Sequence, residues 1–189
     1  NNKEIIDKLK NGIPNIYEPD LEKYLKKALK SKSIEFTSDL SFGIRKSKFI
    51  FICIGTPETN NGSADLSAIK NLIKSLPKYI SSKKYLIIKS TVPIGTCDKL
   101  YKVFEKSNMK EYVEEIISNP EFLREGKAIE DCLNPDRVII GCKKKSSKTA
   151  MLNLYTSFVK EKKIVIMDQA SSELSKYAAN SMLATKISF

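Results

Sequence analysis

Three pairs of residues in this 189-residue chain have the types and spacing to do chemistry. Glu121 and Glu125 stand four apart on either side of Arg124, in Asn119-Pro120-Glu121-Phe122-Leu123-Arg124-Glu125-Gly126. If that segment is helical, both carboxylates share one face. Two acids, a guanidinium and a helix start make the polar edge of a pocket, although a solvated turn capped by Asn-Pro has the same spacing. Lys176 and Asn180 are again four apart, among the small residues Ala178, Ala179 and Ser181. Small neighbours let a ligand come close, and an ammonium and an amide aimed at one point stabilise a developing alkoxide. A polar stripe on an amphipathic helix is the plainer alternative. Thr56 and Thr91 each follow an apolar run. Their hydroxyls could meet a dinucleotide at a sheet edge or simply satisfy turn backbone.

These residues must be carried by regular elements. Helices are predicted over Asn1–Lys10, Asp20–Lys32, Asp39–Ser47, Leu66–Ile80 behind an Asp65 cap, Cys97–Ser107, Met151–Lys160, and from Ser171 to the end. Strands are predicted over Ile34–Thr37, Lys48–Ile54, Tyr85–Lys89, Tyr112–Ser118, Val138–Gly141 and Lys163–Met167. Lys48–Ile54 is a continuous β-branched and aromatic run, the pattern of a strand buried on both faces. Strands alternating with helices through short connections predict an α/β fold with a doubly wound parallel sheet. Gly55-Thr56-Pro57 and the turn after Lys89 would then lie at the carboxyl ends of strands, where such sheets bind ligands.

Composition narrows the partners. The chain is 41% hydrophobic and 29% charged, with a net charge of +11, which is ordinary for a globular domain. Its longest uninterrupted apolar run, Phe49–Ile54, is far too short to span a membrane. The lysines are scattered over helix faces and turns, and no aromatic residues interleave with them as a stacking platform would need. Neither a nucleic-acid nor a membrane partner is expected, although a basic field attracts anionic nucleotides. Cys53, Cys97, Cys132 and Cys142 show no Cys-x-x-Cys pair, and the chain has no histidine. No metal site is expected. Reduced thiols in a cytoplasmic protein are, with Cys53 and Cys142 placed in the core.

Asn119–Gly126 also resembles the Asn-Pro-Glu-Phe-Leu-Arg-Glu-Gly signature of the UDP-glucose/GDP-mannose dehydrogenase family. Further pieces follow in the family's order: Tyr17-Glu18-Pro19, Gly55-Thr56-Pro57, Lys89 through Thr96, and Glu173 through Phe189. Asn134-Pro135-Asp136-Arg137 is similar to the UDP-glucose branch in particular, with GDP-mannose oxidation as the nearest alternative. Asp20 departs from the pattern, which has glycine there.

The resemblance implies a Rossmann-like NAD-binding domain over residues 1–168, lacking its first β-α-β unit, and over 169–189 the start of a long central helix. It implies NAD as cofactor and UDP-glucose as substrate, oxidised twice at C6 through a cysteine thioester. By the same likeness Thr56 and Thr91 contact NAD, Thr91 also holding a water near the reacting carbon. Lys3 approaches the adenosine ribose, and Glu125 the nicotinamide end. Glu121 acts in thioester hydrolysis, while Lys176 and Asn180 stabilise charge at the reacting carbon. Glu121, Phe122, Leu123, Arg124, Glu125, Lys176 and Asn180 enclose the sugar nucleotide. The family's nucleophilic cysteine and Gly-x-Gly-x-x-Gly fingerprint fall outside residues 1–189, so the chain taken alone is expected to be inactive. A homodimer through the central helix is implied for the full-length protein. The rival from another class is a catalytically dead module that binds nucleotides or polyanions.

Overall fold

A computed structural model describes residues 2–106 and 110–189. Asn1 and Ser107, outer ends of two expected helices, lie outside the described residues. Five short strands, β1 (Phe49–Ile52), β2 (Lys84–Ile88), β3 (Val113–Ser118), β4 (Val138–Gly141) and β5 (Ile164–Met167), form one sheet in chain order. Among the described residues, eight α-helices accompany them: α1 (Lys3–Lys10), α2 (Leu21–Lys30), α3 (Leu40–Lys46), α4 (Ser67–Ser75), α5 (Thr96–Glu105), α6 (Ala128–Leu133), α7 (Lys145–Tyr155) and α8 (Gln169–Ser188).

The two-residue strand period divides the core. Leu86 and Ile88 of β2 face Ile69, Ile73, Leu100 and Phe104 of α4 and α5. Tyr85 and Ile87 face Val138, Ile140, Met151 and Tyr155 on the other side. Both faces of the sheet are therefore covered, which is why its strands are apolar almost throughout. Asn2, Asp39 and Asp168 cap α1, α3 and α8, each accepting the backbone N–H three residues on, the usual role of these residue types.

The sheet is mixed rather than wholly parallel. β1, β2 and β3 run parallel and so do β4 and β5, but β3 meets β4 antiparallel through the single pair Ser118–Gly141. A parallel return needs a crossover helix packed along the sheet. The β3–β4 connection holds only the six-residue α6, which has no buried residue, so the chain re-enters in the opposite direction.

Smaller departures have local causes. Ile34–Thr37, expected as a strand, forms none and joins no described sheet. The helix after Asp65 stops at Ser75 and closes in a 3-10 turn at Leu76–Lys78, where Pro77 supplies no N–H. Helix α7 starts at Lys145, ahead of the predicted Met151, because Ser147, Met151 and Tyr155 form one buried stripe. Asp20 precedes α2 at φ 62° with no side-chain cap bond. That left-handed conformation explains why the family pattern has glycine there. Cys53 is exposed just past the end of β1, whereas Cys142 is buried as expected.

Candidate active site

Helix α8 sets the site, and Gly141 lets it in. A Cβ at Gly141 would lie 2.5 Å from Ser172 Cβ and 2.9 Å from Gln169 Cα. With that contact made, Ser172 Oγ lies 2.9 Å from Ser118 Oγ in a hydrogen bond at the one β3–β4 pairing. Beyond it, Glu173, Lys176 and Asn180 follow at i, i+3 and i+7, along one helix face.

Glu173 is 3% exposed. Its carboxylate accepts the backbone N–H groups of Gly95 at 2.5 Å and Cys97 at 2.8 Å. An anion there is favoured by the free N–H groups and dipole of α5. Burial, then the adjacent carboxylate, push the Cys97 thiol well above its ordinary range, so this cysteine is inert packing. Gly95 turns the chain at φ 81°, and the loop it closes carries Thr91. Across the β1–β2 edge, Thr56 Oγ1 donates to the Thr91 carbonyl at 2.7 Å. The Thr91 hydroxyl itself makes no hydrogen bond to a described residue.

The other predicted residues gather around a cavity of about 550 Å³. Lys176, 8% exposed, pairs with Glu121, Nζ to Oε1 at 2.8 Å. Glu121 Oε2 accepts the Leu123 N–H at 2.7 Å. Burial alone would raise the Glu121 pKa. The hydrogen bonds from Lys176 and Leu123 outweigh it and hold the carboxyl below its ordinary value. Lys176 also lies 5.3 Å from the Phe122 ring centroid, which Arg137 covers at 4.6 Å. Arg124 is committed to Asp131: its backbone N–H, Nε and Nη2 reach the carboxylate at 2.8, 3.1 and 2.6 Å. Behind the cavity, buried Asn119 donates to the Ile139 carbonyl and accepts the Tyr155 hydroxyl. That anchors the point where β3 ends.

The structure thus brings Glu121, Phe122, Leu123, Arg124, Lys176 and Asn180 to one cavity. Thr56 and Thr91 meet each other at the strand edge beside it. Glu121 and Glu125 do not share a helix face. Asn119–Arg124 is irregular, Glu125 sits exposed in the turn at Gly126, and α6 begins only at Ala128. Glu18 instead holds a turn there, accepting the Gly126 N–H at 2.9 Å and the Ala128 N–H at 2.5 Å. Lys3 stands exposed at the start of α1, away from the cavity lining. Glu173, Lys89 and Tyr155 also belong to the site, beyond the residues expected from the sequence. The i, i+3, i+7 spacing from Glu173 would have flagged the first, and a charge closing an apolar strand the second.

The model of the UDP-glucose/GDP-mannose dehydrogenase family's NAD binding domain matches residues 1–159. The chain belongs to that family. It is 39% identical over 185 residues to UDP-glucose 6-dehydrogenase of Rickettsia felis, covering 97% of this chain and 41% of the relative. It is 38% identical over 184 residues to UDP-glucose 6-dehydrogenase TuaD of Bacillus subtilis, covering 97% and 40%. Among solved structures, a UDP-glucose dehydrogenase from Pyrobaculum islandicum superposes with a TM-score of 0.92 at 34% identity, over 100% of this chain and 44% of that one. A GDP-mannose dehydrogenase from Pseudomonas aeruginosa gives 0.91 at 28%, over 98% and 44%. The chain therefore spans about two fifths of the length of these relatives.

NAD is the cofactor of the matched domain. The donor set suits a dinucleotide: the free Thr91 hydroxyl and the Thr56 turn lie at the carboxyl ends of parallel β1 and β2. The N-terminus of α5 is already filled by the Glu173 carboxylate, so it is not the seat of the pyrophosphate. Among the described residues no group of metal ligands is found, and no helix is long and apolar enough to cross a membrane.

Proposed function

We propose that this chain is the NAD-binding part of an enzyme that oxidises UDP-glucose at C6 to UDP-glucuronate. Two NAD⁺ and one water are consumed, and two NADH are formed. The observation that carries the reading is the Glu121–Lys176 pair, which lines one cavity with Asn180, beside the strand edge that presents Thr91. NAD, when bound along the Thr56–Thr91 edge, supplies the hydride acceptor. Lys176 and Asn180 donate to the oxygen on which negative charge develops. Phe122 and Leu123 wall the sugar nucleotide, and Arg124, pinned by Asp131, holds that wall in shape. A cysteine beyond residue 189 holds the aldehyde as a thiohemiacetal and then a thioester.

Glu121 activates the water that hydrolyses the thioester. Held by Lys176 it is too acidic to be an effective base, since general bases work best near the operating pH. Lys176 turning to the substrate oxygen would release Glu121 and raise its basicity at the step that needs it. Lys3 and Glu125 are assigned to the ribose and nicotinamide ends of NAD by family likeness alone. Residues 1–168 form the cofactor unit, and 169–189 head the helix toward a second domain. Met182, Leu183 and Ile187 of that helix are exposed, and a homodimer covers them. Four free thiols suit the cytoplasm.

Full-length protein carrying this segment should reduce two NAD⁺ for each UDP-glucose oxidised. Equal turnover with GDP-mannose would contradict the substrate assignment, and no turnover with either would contradict the enzyme.

A further inference from the structure

The cavity is lined by a fourth cation, Lys89, besides Arg124, Arg137 and Lys176. Lys89 follows Ile88 at the carboxyl end of β2 and points to the same sheet side as Tyr85 and Ile87, where the cavity lies. Its backbone N–H is fixed on the Ile52 carbonyl at 2.9 Å. The side chain is half-buried, yet its ammonium makes no hydrogen bond or ion pair to any described residue. The other cations of the cavity are engaged: Lys176 by Glu121, Arg124 by Asp131, and Arg137 by the Phe122 ring. A half-buried ammonium without a partner is costly unless a ligand completes it.

The neighbourhood indicates which end of a ligand it meets. Lys89 senses the charges of Glu121 and Lys176, as well as the thiols of Cys53 and Cys132. Burial pulls its pKa below the ordinary lysine value, and the nearby acids oppose that shift only in part. Two ammonium groups thus face one carboxylate, leaving an uncompensated positive charge beside the groups assigned to the reacting carbon. Thr91, at the cofactor edge, is only two residues away. An oxygen-rich group that becomes anionic at this place would neutralise the excess.

We propose that Lys89 is a further substrate-binding residue, whose ammonium donates to the sugar-end oxygens of the nucleotide sugar and pairs with the carboxylate formed there. This rests on the nucleotide-sugar reading above. Because the C6 hydroxyl is neutral and the C6 carboxylate is not, Lys89 favours product over substrate. The diphosphate, common to both, is not its partner.

The test is calorimetric binding of UDP, UDP-glucose and UDP-glucuronate to the full-length protein, in wild type, Lys89→Met and Lys89→Arg. In Lys89→Met, UDP-glucuronate should bind roughly ten- to hundredfold more weakly, as expected for a lost charged hydrogen bond. UDP-glucose should weaken by about threefold and UDP by less than twofold, the neutral hydroxyl forming the weaker bond. Lys89→Arg keeps the charge and should bind UDP-glucuronate more tightly than Lys89→Met. If the methionine variant does not fold, Lys89→Gln takes its place with the same expectation. Equal weakening of all three ligands would put the ammonium on the diphosphate and overturn the proposal. Unchanged binding of all three beside a competent wild type would overturn it alone. A wild type that binds none of them would overturn the nucleotide-sugar reading and this inference together.

Discussion

The two edges that α8 joins are built in opposite ways. At the Thr56–Thr91 strand edge, contacts end on backbone: Thr56 on the Thr91 carbonyl, and Glu173 on the Gly95 and Cys97 N–H groups. At the cavity edge, the decisive contacts run between side chains: Glu121 with Lys176, Arg124 with Asp131, Arg137 over Phe122. A carboxylate buried on backbone donors cannot leave without orphaning them. An ion pair at a cavity wall can exchange its partner for a ligand. One helix face therefore carries an anchor, Glu173, and one turn further a movable group, Lys176. The lesson is that equal-looking acids are told apart by what they accept from.

The sharpest way to break this contrast is at Glu121. In the full-length enzyme Glu121→Gln should slow thioester hydrolysis by about 10²–10⁴-fold, the usual cost of losing a general base. A burst of NADH followed by a slow steady state is expected in stopped-flow traces. If burst and steady state fell together, Glu121 would serve binding, and the movable pair would lose its role.

At the anchor the expected effect is on stability. Glu173→Leu leaves the buried Cys97 N–H and the half-buried Gly95 N–H unsatisfied, at about 1–3 kcal/mol for the buried one. The melting temperature should drop, with the loss of NAD affinity exceeding the loss of UDP-glucose affinity. An unchanged melt would mean the α5 turn does not depend on α8.

The smallest effect is in acid. Arg124, first through its side chain and then its backbone N–H, holds Asp131 at about 2, below the ordinary 3.8. A depressed carboxyl pKa adds stability that is complete above about 4 and lost as pH falls through about 2. The Asp131 carboxyl resonance should titrate near 2 in wild type and higher in Arg124→Met. It should remain partly depressed there, because the backbone donor stays. Titration at the ordinary value in wild type would show that the cavity wall is not pinned.

Much of this was legible in the chain because strand burial and helix spacing are local signals. The apolar runs of β1 to β5 were found, and Lys176 and Asn180 were placed on one face by their spacing alone. What escaped depended on partners far along the chain. The reversal of β4 follows from a connection that carries no long crossover helix, a property of the whole segment between β3 and β4. Glu121 and Glu125 looked like helix neighbours, but Glu18, over a hundred residues away, holds the turn that separates them. Lys89 lies inside a motif in which Thr91 is the residue with evident chemistry. Its missing partner shows only once the cavity exists.

The most direct test is a crystal structure of the full-length enzyme with NAD and UDP-glucose bound, compared with the same enzyme free of ligands. The account predicts that the 2.8 Å Glu121–Lys176 contact opens, with Lys176 Nζ turned to a sugar oxygen. The Thr56–Thr91 and Glu173–Gly95 hydrogen bonds should persist unchanged. A ternary complex in which the ion pair stays closed while the Glu173 contacts break would contradict it.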